Sequence, residues 1–163
     1  MYNIGEYIAY RRDVCKIIGI KKNIINQNDY YLLSPVSDSS LKLEVPIDNR
    51  CGHLRSLISK KDIEELINKI PMIEVIDSPD KMIEYEYKKL MNSGTHEDLI
   101  KIIKTTYLRN KKRIDLKKKI SDKDQHYFLL AEKYLYNEIA TVFNVSYDEA
   151  KQYVISEVEG KDI

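Results

Sequence analysis

Nine lysines and arginines fall between residues 101 and 120, against a single acid, Asp115. They are Lys101, Lys104, Arg109, Lys111, Lys112, Arg113, Lys117, Lys118 and Lys119. The chemistry open to such a run is electrostatic. Ammonium and guanidinium groups neutralise phosphates, and phosphate contacts hold a protein on nucleic acid without reading its sequence. The plain alternative is a solvated surface whose bases favour a helix C-terminus. Nine bases exceed what that needs. The flanks sharpen the contrast: residues 61–100 and 121–163 each carry a balance of −5, residues 1–60 carry +3, and the block itself carries +8. A net charge of +1 therefore conceals a local basic footprint.

Other chemistry has few candidates. The histidines His53, His96 and His126 are far apart. Cys51-Gly52-His53 could supply only half of a metal site, with no second pair at ligand spacing to complete it, and a solvated loop is the expected reading. Cys15 sits in an apolar strand pattern, where a free thiol packs as a small hydrophobe. Glycine-rich phosphate loops and the GxSxG nucleophile elbow are absent. Glu64-Glu65 and Glu84/Glu86 have the spacing of solvated helix faces. No enzymatic activity, metal or organic cofactor is expected. No stretch of eighteen apolar residues occurs, and the start lacks a basic segment followed by an apolar one. A cytoplasmic protein with reduced thiols is expected.

The elements that position the block come in two kinds. The first sixty residues give short runs of strand character: EYIAYRR, VCKIIGI, DYYLLS, LKLEVP and LRSLI. Leu41, Leu43 and Val45 alternate with Lys42 and Glu44, and Pro46 closes that run. Asn26, Asn28 and Asp29, then Ser34-Pro35 and Ser37 to Ser40, supply turns. Short strands at this spacing favour a small β barrel.

From Asp62 the period becomes helical. Ile63, Leu66, Ile67 and Ile70 share one face, and Pro71 ends the helix. A second helix is expected over 79–91, with Pro79 in its first turn. Thr95, Ser121 and Ser146 are N-caps for three more. Leu99, Ile102, Ile103 and Thr106 are the expected inward face of the third helix. Phe128, Ala131, Leu135 and Ile139 are that of the fourth. On the third helix Lys101, Lys104, Lys111 and Lys112 project opposite the apolar stripe, flanked by Arg109 and Arg113. Lys117, Lys118 and Lys119 follow in the next connection. The expected architecture is α+β: a β barrel over 1–60 and a bundle of about five helices over 61–163.

In order along the chain, several stretches carry a resemblance. Tyr2 to Tyr10, Asp29 to Leu33, Leu43 to Pro46, Gly52 to Leu57, Ser93-Gly94 with the helix to Arg113, and Ile120 to Ala131 with Glu138 downstream are similar to successive motifs of the CarD/CdnL family of bacterial RNA polymerase-binding transcription regulators. The resemblance implies an N-terminal Tudor-like barrel that docks on the polymerase β subunit. It also implies a helical domain that reaches promoter DNA at the upstream edge of the bubble and modulates open-complex stability. Leu43, Glu44, Val45 and Pro46 would form the docking edge, with Lys22 near a second contact. Lys104, Arg109, Lys111, Lys112, Arg113 and Lys117 to Lys119 would contact DNA, weakly and mostly through the backbone. No membrane or small-molecule substrate is implied.

The chain departs from the family pattern in three places. The glycine turn after the first strand is replaced by Tyr10-Arg11-Arg12-Asp13. The chain has no Trp, where typical members insert one into the minor groove. Met82 is the candidate apolar wedge in its place, with Ile83 and Tyr85 as alternatives. Glu44 stands where the family carries a base. The lost Trp and Glu44 motivate a second expectation, a Tudor-like interaction module that binds another partner without touching DNA.

Overall fold

A computed structural model describes residues 1–25 and 27–160. Asn26, one of the expected turn residues, and the last three residues of the helical half lie outside it. The chain is α+β, with five strands followed by five helices among the described residues.

Strands β1 (Tyr7–Tyr10), β2 (Asp13–Lys22), β3 (Asp29–Pro35), β4 (Leu43–Pro46) and β5 (Leu54–Ser56) form one antiparallel sheet in the order β4-β3-β2-β1-β5. That order describes an open sheet, where strand spacing alone suggests a barrel. Ile8, Cys15, Ile17, Tyr31, Leu33, Val45 and Leu54 bury one face as a core of their own. The register between β2 and β3 shifts between Ile17 and Gly19. A bulge of this kind bends the long strand and deepens its twist. A Cβ on Gly19 would lie 3.3 Å from Leu32 Cδ1, so a larger residue there would push the Leu32 side chain aside by a few tenths of an ångström.

The β1–β2 connection is tight although its sequence lacks glycine. Tyr10 pairs with Asp13, leaving only Arg11 and Arg12 in the loop. Arg11 adopts φ 58°, the left-handed conformation that glycine normally supplies. The Arg11 amide donates to the His53 carbonyl at 2.8 Å, which helps to hold it there.

Helix α1 (Lys60–Lys69) is capped by Ser59 and buries Ile63, Leu66 and Ile67. Pro71 then lies in a short 3-10 turn. Helix α2 (Ile83–Met91) starts one turn later than the proline suggests. Pro79 to Met82 form a separate turn, closed by the Met82 amide on the Pro79 carbonyl at 2.9 Å. Helices α3 (His96–Asp115), α4 (Asp122–Phe143) and α5 (Tyr147–Glu159) start at Thr95, Ser121 and Ser146 as their caps predict. The second core joins α1 through α5 around Ile67, Tyr87, Leu99, Ile102, Leu135 and Ile139.

Two faces are rotated from expectation. On α3, Ile100 is buried and Ile103 only half-buried. On α4, Tyr127 takes the inward position expected of Phe128, and its ring lies 5.0 Å from that of Tyr87. Asp124, three residues before Tyr127, is itself buried, and its partners fix the rotation of the helix.

Candidate nucleic-acid interface and docking edge

Helix α3 carries most of the basic block. The Thr95 hydroxyl accepts the Asp98 amide at 3.3 Å, and Glu97 and Asp98 place negative charge on the first turn, where the helix dipole favours it. The Thr105 and Thr106 hydroxyls donate back to the Lys101 and Ile102 carbonyls at 2.6 and 2.7 Å, so both threonines pack inward without unpaired oxygens. At the far end the Lys117 amide donates to Ile114 O at 2.9 Å and the Lys118 amide to Arg113 O at 2.8 Å. This pairing is a Schellman motif, and Lys117 occupies its left-handed position with φ 56°. The chain reverses at once. Lys117, Lys118 and Lys119 therefore follow directly on the last turns, which carry Lys111 and Lys112, and all five side chains are exposed. Arg113 is half-exposed.

Two of the expected phosphate contacts are engaged inside the protein. Lys104 Nζ donates to the Ile70 and Ile73 carbonyls at 2.8 and 2.7 Å, satisfying the end of the 3-10 turn. Arg109 was expected to flank the exposed face; it turns inward instead. Its Nε donates to Asp124 Oδ2 at 3.0 Å and its Nη1 to Asp80 Oδ1 at 2.9 Å. The Tyr87 hydroxyl donates to the other Asp124 oxygen at 2.8 Å. Asp124 is only 1% exposed, so its charge depends on these partners. Burial acts to lower the Arg109 pKa, but bonds to Asp80 and Asp124 hold it above its ordinary value. Burial, then Asp124, pushes the Tyr87 phenol up.

This strut ties the Pro79–Met82 turn to the basic helix. The Arg109 hydrogen bond, followed by the charges of Arg109, Arg113 and Lys112, lowers the Asp80 pKa. The turn thus sits within reach of those bases. Met82 is 43% exposed there and Tyr85 61%, whereas Ile83 is buried and is removed from the wedge candidates. Tyr107, Leu108, Ile114 and Leu116 are also exposed along the basic segment.

The residues expected to dock, Leu43 to Pro46, lie at a different kind of site, a sheet edge. Strand β4 has β3 on one side and ends the sheet on the other. Leu43, Glu44, Val45 and Pro46 pair with Leu33, Leu32, Tyr31 and Tyr30. The Ile47 amide donates to the Asp29 carbonyl at 3.0 Å. Antiparallel bonds alternate, so Val45 and Leu43 also direct their main-chain groups toward β3, while those of Glu44 face outward. Pro46 has no amide to offer. The free edge is thus short, with one outward N–H at its middle. Val45 is buried and Leu43 half-buried, while Glu44 and Lys22 are exposed. Glu44 pairs with Lys21 at 2.9 Å, both side chains about half exposed.

Cys51 and His53 are exposed, and His53 lies edge-on to Tyr10 at 6.1 Å. Cys15 is fully buried. Burial, then Asp13, pushes its thiol up to about 12, which removes nucleophilic character. Among the described residues no group of three His, Cys, Asp or Glu side chains is placed to hold a metal, and no helix is long and apolar enough to cross a membrane.

Arg12, Arg55, His96 and Glu138 join the two halves, a role that none of the sequence motifs containing them assigns. The one local sign of them is arginine in place of glycine at the β1–β2 turn. No protein-family model matches the chain, and no curated protein matches it.

Proposed function

We propose that this protein is a non-enzymatic transcription regulator that bridges RNA polymerase and promoter DNA. The strand half curls at the β2 bulge into a Tudor-like barrel and docks the β4 edge on the polymerase β subunit by strand addition. The helical half lays the end of α3 on the DNA backbone near the upstream edge of the bubble, with Met82 as the apolar wedge. It works in the cytoplasm without a cofactor.

The observation that supports this best is the cluster of exposed Lys111, Lys112, Lys117, Lys118 and Lys119, with the Met82 turn fastened beside the same helix by Arg109. A left-handed C-cap and a paired buried carboxylate are ordinary helix chemistry; what a solvated helix end does not require is an exposed Met82 held beside five exposed lysines. Glu44 at the docking edge favours the second reading, an interaction module for a different protein partner without DNA contact.

Co-purification separates the two: recovery of polymerase supports the bridge, and recovery of another protein without the β subunit supports the module. DNA contact has its own test. Binding to promoter DNA should weaken steeply with salt, and Lys112→Ala with Lys118→Ala should flatten the log–log slope by about two units, at ~0.9 per phosphate. Met82→Ala should leave the slope alone and shorten the lifetime of the open complex. An unchanged slope in the double variant means the basic end is solvated surface only.

A further inference from the structure

Arg12 leaves the two-residue β1–β2 loop and crosses into the helical half. It is 6% exposed. Its Nε donates to Met91 O at 2.9 Å, Nη1 to Thr95 O at 2.9 Å, and Nη2 to Leu90 O at 3.0 Å and Ser93 Oγ at 3.4 Å. Leu90 and Met91 are the last residues of α2, where carbonyls have no partner within the helix. Thr95 is the cap of α3. One guanidinium therefore fixes the end of one helix and the start of the next. Its planar fork of five donors suits this; a lysine ammonium has three.

A second tie lies on β5. Arg55 makes two parallel bonds to Glu138 of α4, at 2.9 and 2.8 Å. The Ile58 amide donates to the same carboxylate at 2.7 Å, and His96 Nε2 lies 2.9 Å from its other oxygen. Glu138 is 1% exposed. Its four contacts come from β5, the β5–α1 connection and the first residue of α3. Both ties therefore converge on the start of α3.

We propose that Arg12 and the Arg55–Glu138–His96 cluster form a latch that sets the angle of α3 against the sheet, and so fixes the lysine cluster relative to the β4 edge. This rests on the bridging function proposed above. The geometry explains why a latch belongs at this end of the helix. Twenty residues at 1.5 Å each make α3 about 30 Å long. A swing of about 10° at Thr95 would carry the lysines by ~5 Å over that length, nearly the rise of a full helical turn. A bridge between two partners needs that distance held. These four residues are positioning residues, and none of them needs to touch polymerase or DNA.

The full-length protein tests this directly. Cys51 is exposed and labels with a nitroxide, while Cys15 is buried and does not. A second label at Gln152→Cys, an exposed position on α5, reports the distance between the halves. The expected distribution is narrow in the otherwise unchanged chain and at least twice as wide in Arg12→Ala. Glu138→Gln keeps the side-chain shape, serves if the arginine variant folds poorly, and should also widen it. Unaltered widths in folded variants overturn the latch. In the polymerase–promoter complex, Glu138→Gln should shorten open-complex lifetime several-fold while the salt slope on free DNA and the affinity for polymerase stay constant. A loss confined to either affinity shows local damage to one surface and overturns the positioning role. Failure of the unmodified chain to bind polymerase overturns the bridging function instead, and the distance measurement still decides whether the latch exists.

Discussion

Arg109 shows what a long side chain does to a pattern argument. Helical spacing places its Cα at the margin of the packed stripe, and its charge assigns it to the basic block. Yet the guanidinium sits at the end of a flexible stem and reaches back to Asp124 and Asp80. Asp124 is three residues past a serine cap, a position that reads as capping alone; its buried carboxylate is held by Tyr87 and Arg109. Nothing local announces that. Lys111, Lys112 and Lys117 to Lys119 were legible because the acids at this end, Asp80 and Asp115, are themselves exposed and draw no lysine inward. The two kinds of base should respond oppositely to truncation. Arg109→Ala leaves a buried carboxylate with only a tyrosine hydroxyl, and should lower stability by about 3 kcal/mol, within the usual cost of orphaning a buried charge. Lys112→Ala should change it by less than ~0.5 kcal/mol. Urea denaturation midpoints decide this; equal midpoints for the two variants would show that the strut adds nothing.

Elements were more legible than side chains. Each of the five strand runs falls on a strand, because β-branched alternation between polar turns has few other solutions. Four of the five helices begin at a Ser or Thr whose oxygen accepts an amide three residues on. Helix α2 lacks such a cap, and its start was misplaced for that reason: Pro79 fits a first helical turn and an isolated turn equally well. Strand β4 makes a different point. The resemblance implies that it is an edge, but only the register says which residues face out. The Leu43 main chain is turned toward β3 and Glu44 outward. Proline at the two positions should therefore act differently. Glu44→Pro removes the outward N–H and a surface ion pair, so the fold should survive while polymerase docking by strand addition is lost. Leu43→Pro breaks the ladder with Leu33 and should lower the thermal midpoint whether or not anything docks. Calorimetry with a polymerase pull-down reads both, and a Glu44→Pro protein that still docks rules out this edge.

At the scale of the whole molecule, the order of the halves was legible and their junction was not. Arg12 and Met91 are 79 residues apart, and Arg55 and Glu138 are 83 apart. No periodicity links positions so distant. The junction nevertheless carries a buried carboxylate whose pKa is strongly lowered, and that gives it a measurable pH signature. Burial alone would raise the Glu138 pKa, but hydrogen bonds from Arg55 and His96, and their charges, outweigh it and hold it at about 2. An unfolded glutamate titrates near ~4.3. Because the folded value is the lower one, the ionised carboxylate stabilises the fold fully above the unfolded value. That contribution fades as pH falls from there through about 2. Glu138→Gln has no such proton to gain. The stability gap between the unmodified protein and this variant should be widest near neutrality, narrow below about pH 4, and nearly close at pH 2. Urea titrations at fixed pH steps measure it. A gap that stays constant down to pH 2 would mean that the latch holds through shape and hydrogen bonds alone, with no part played by the charge on Glu138.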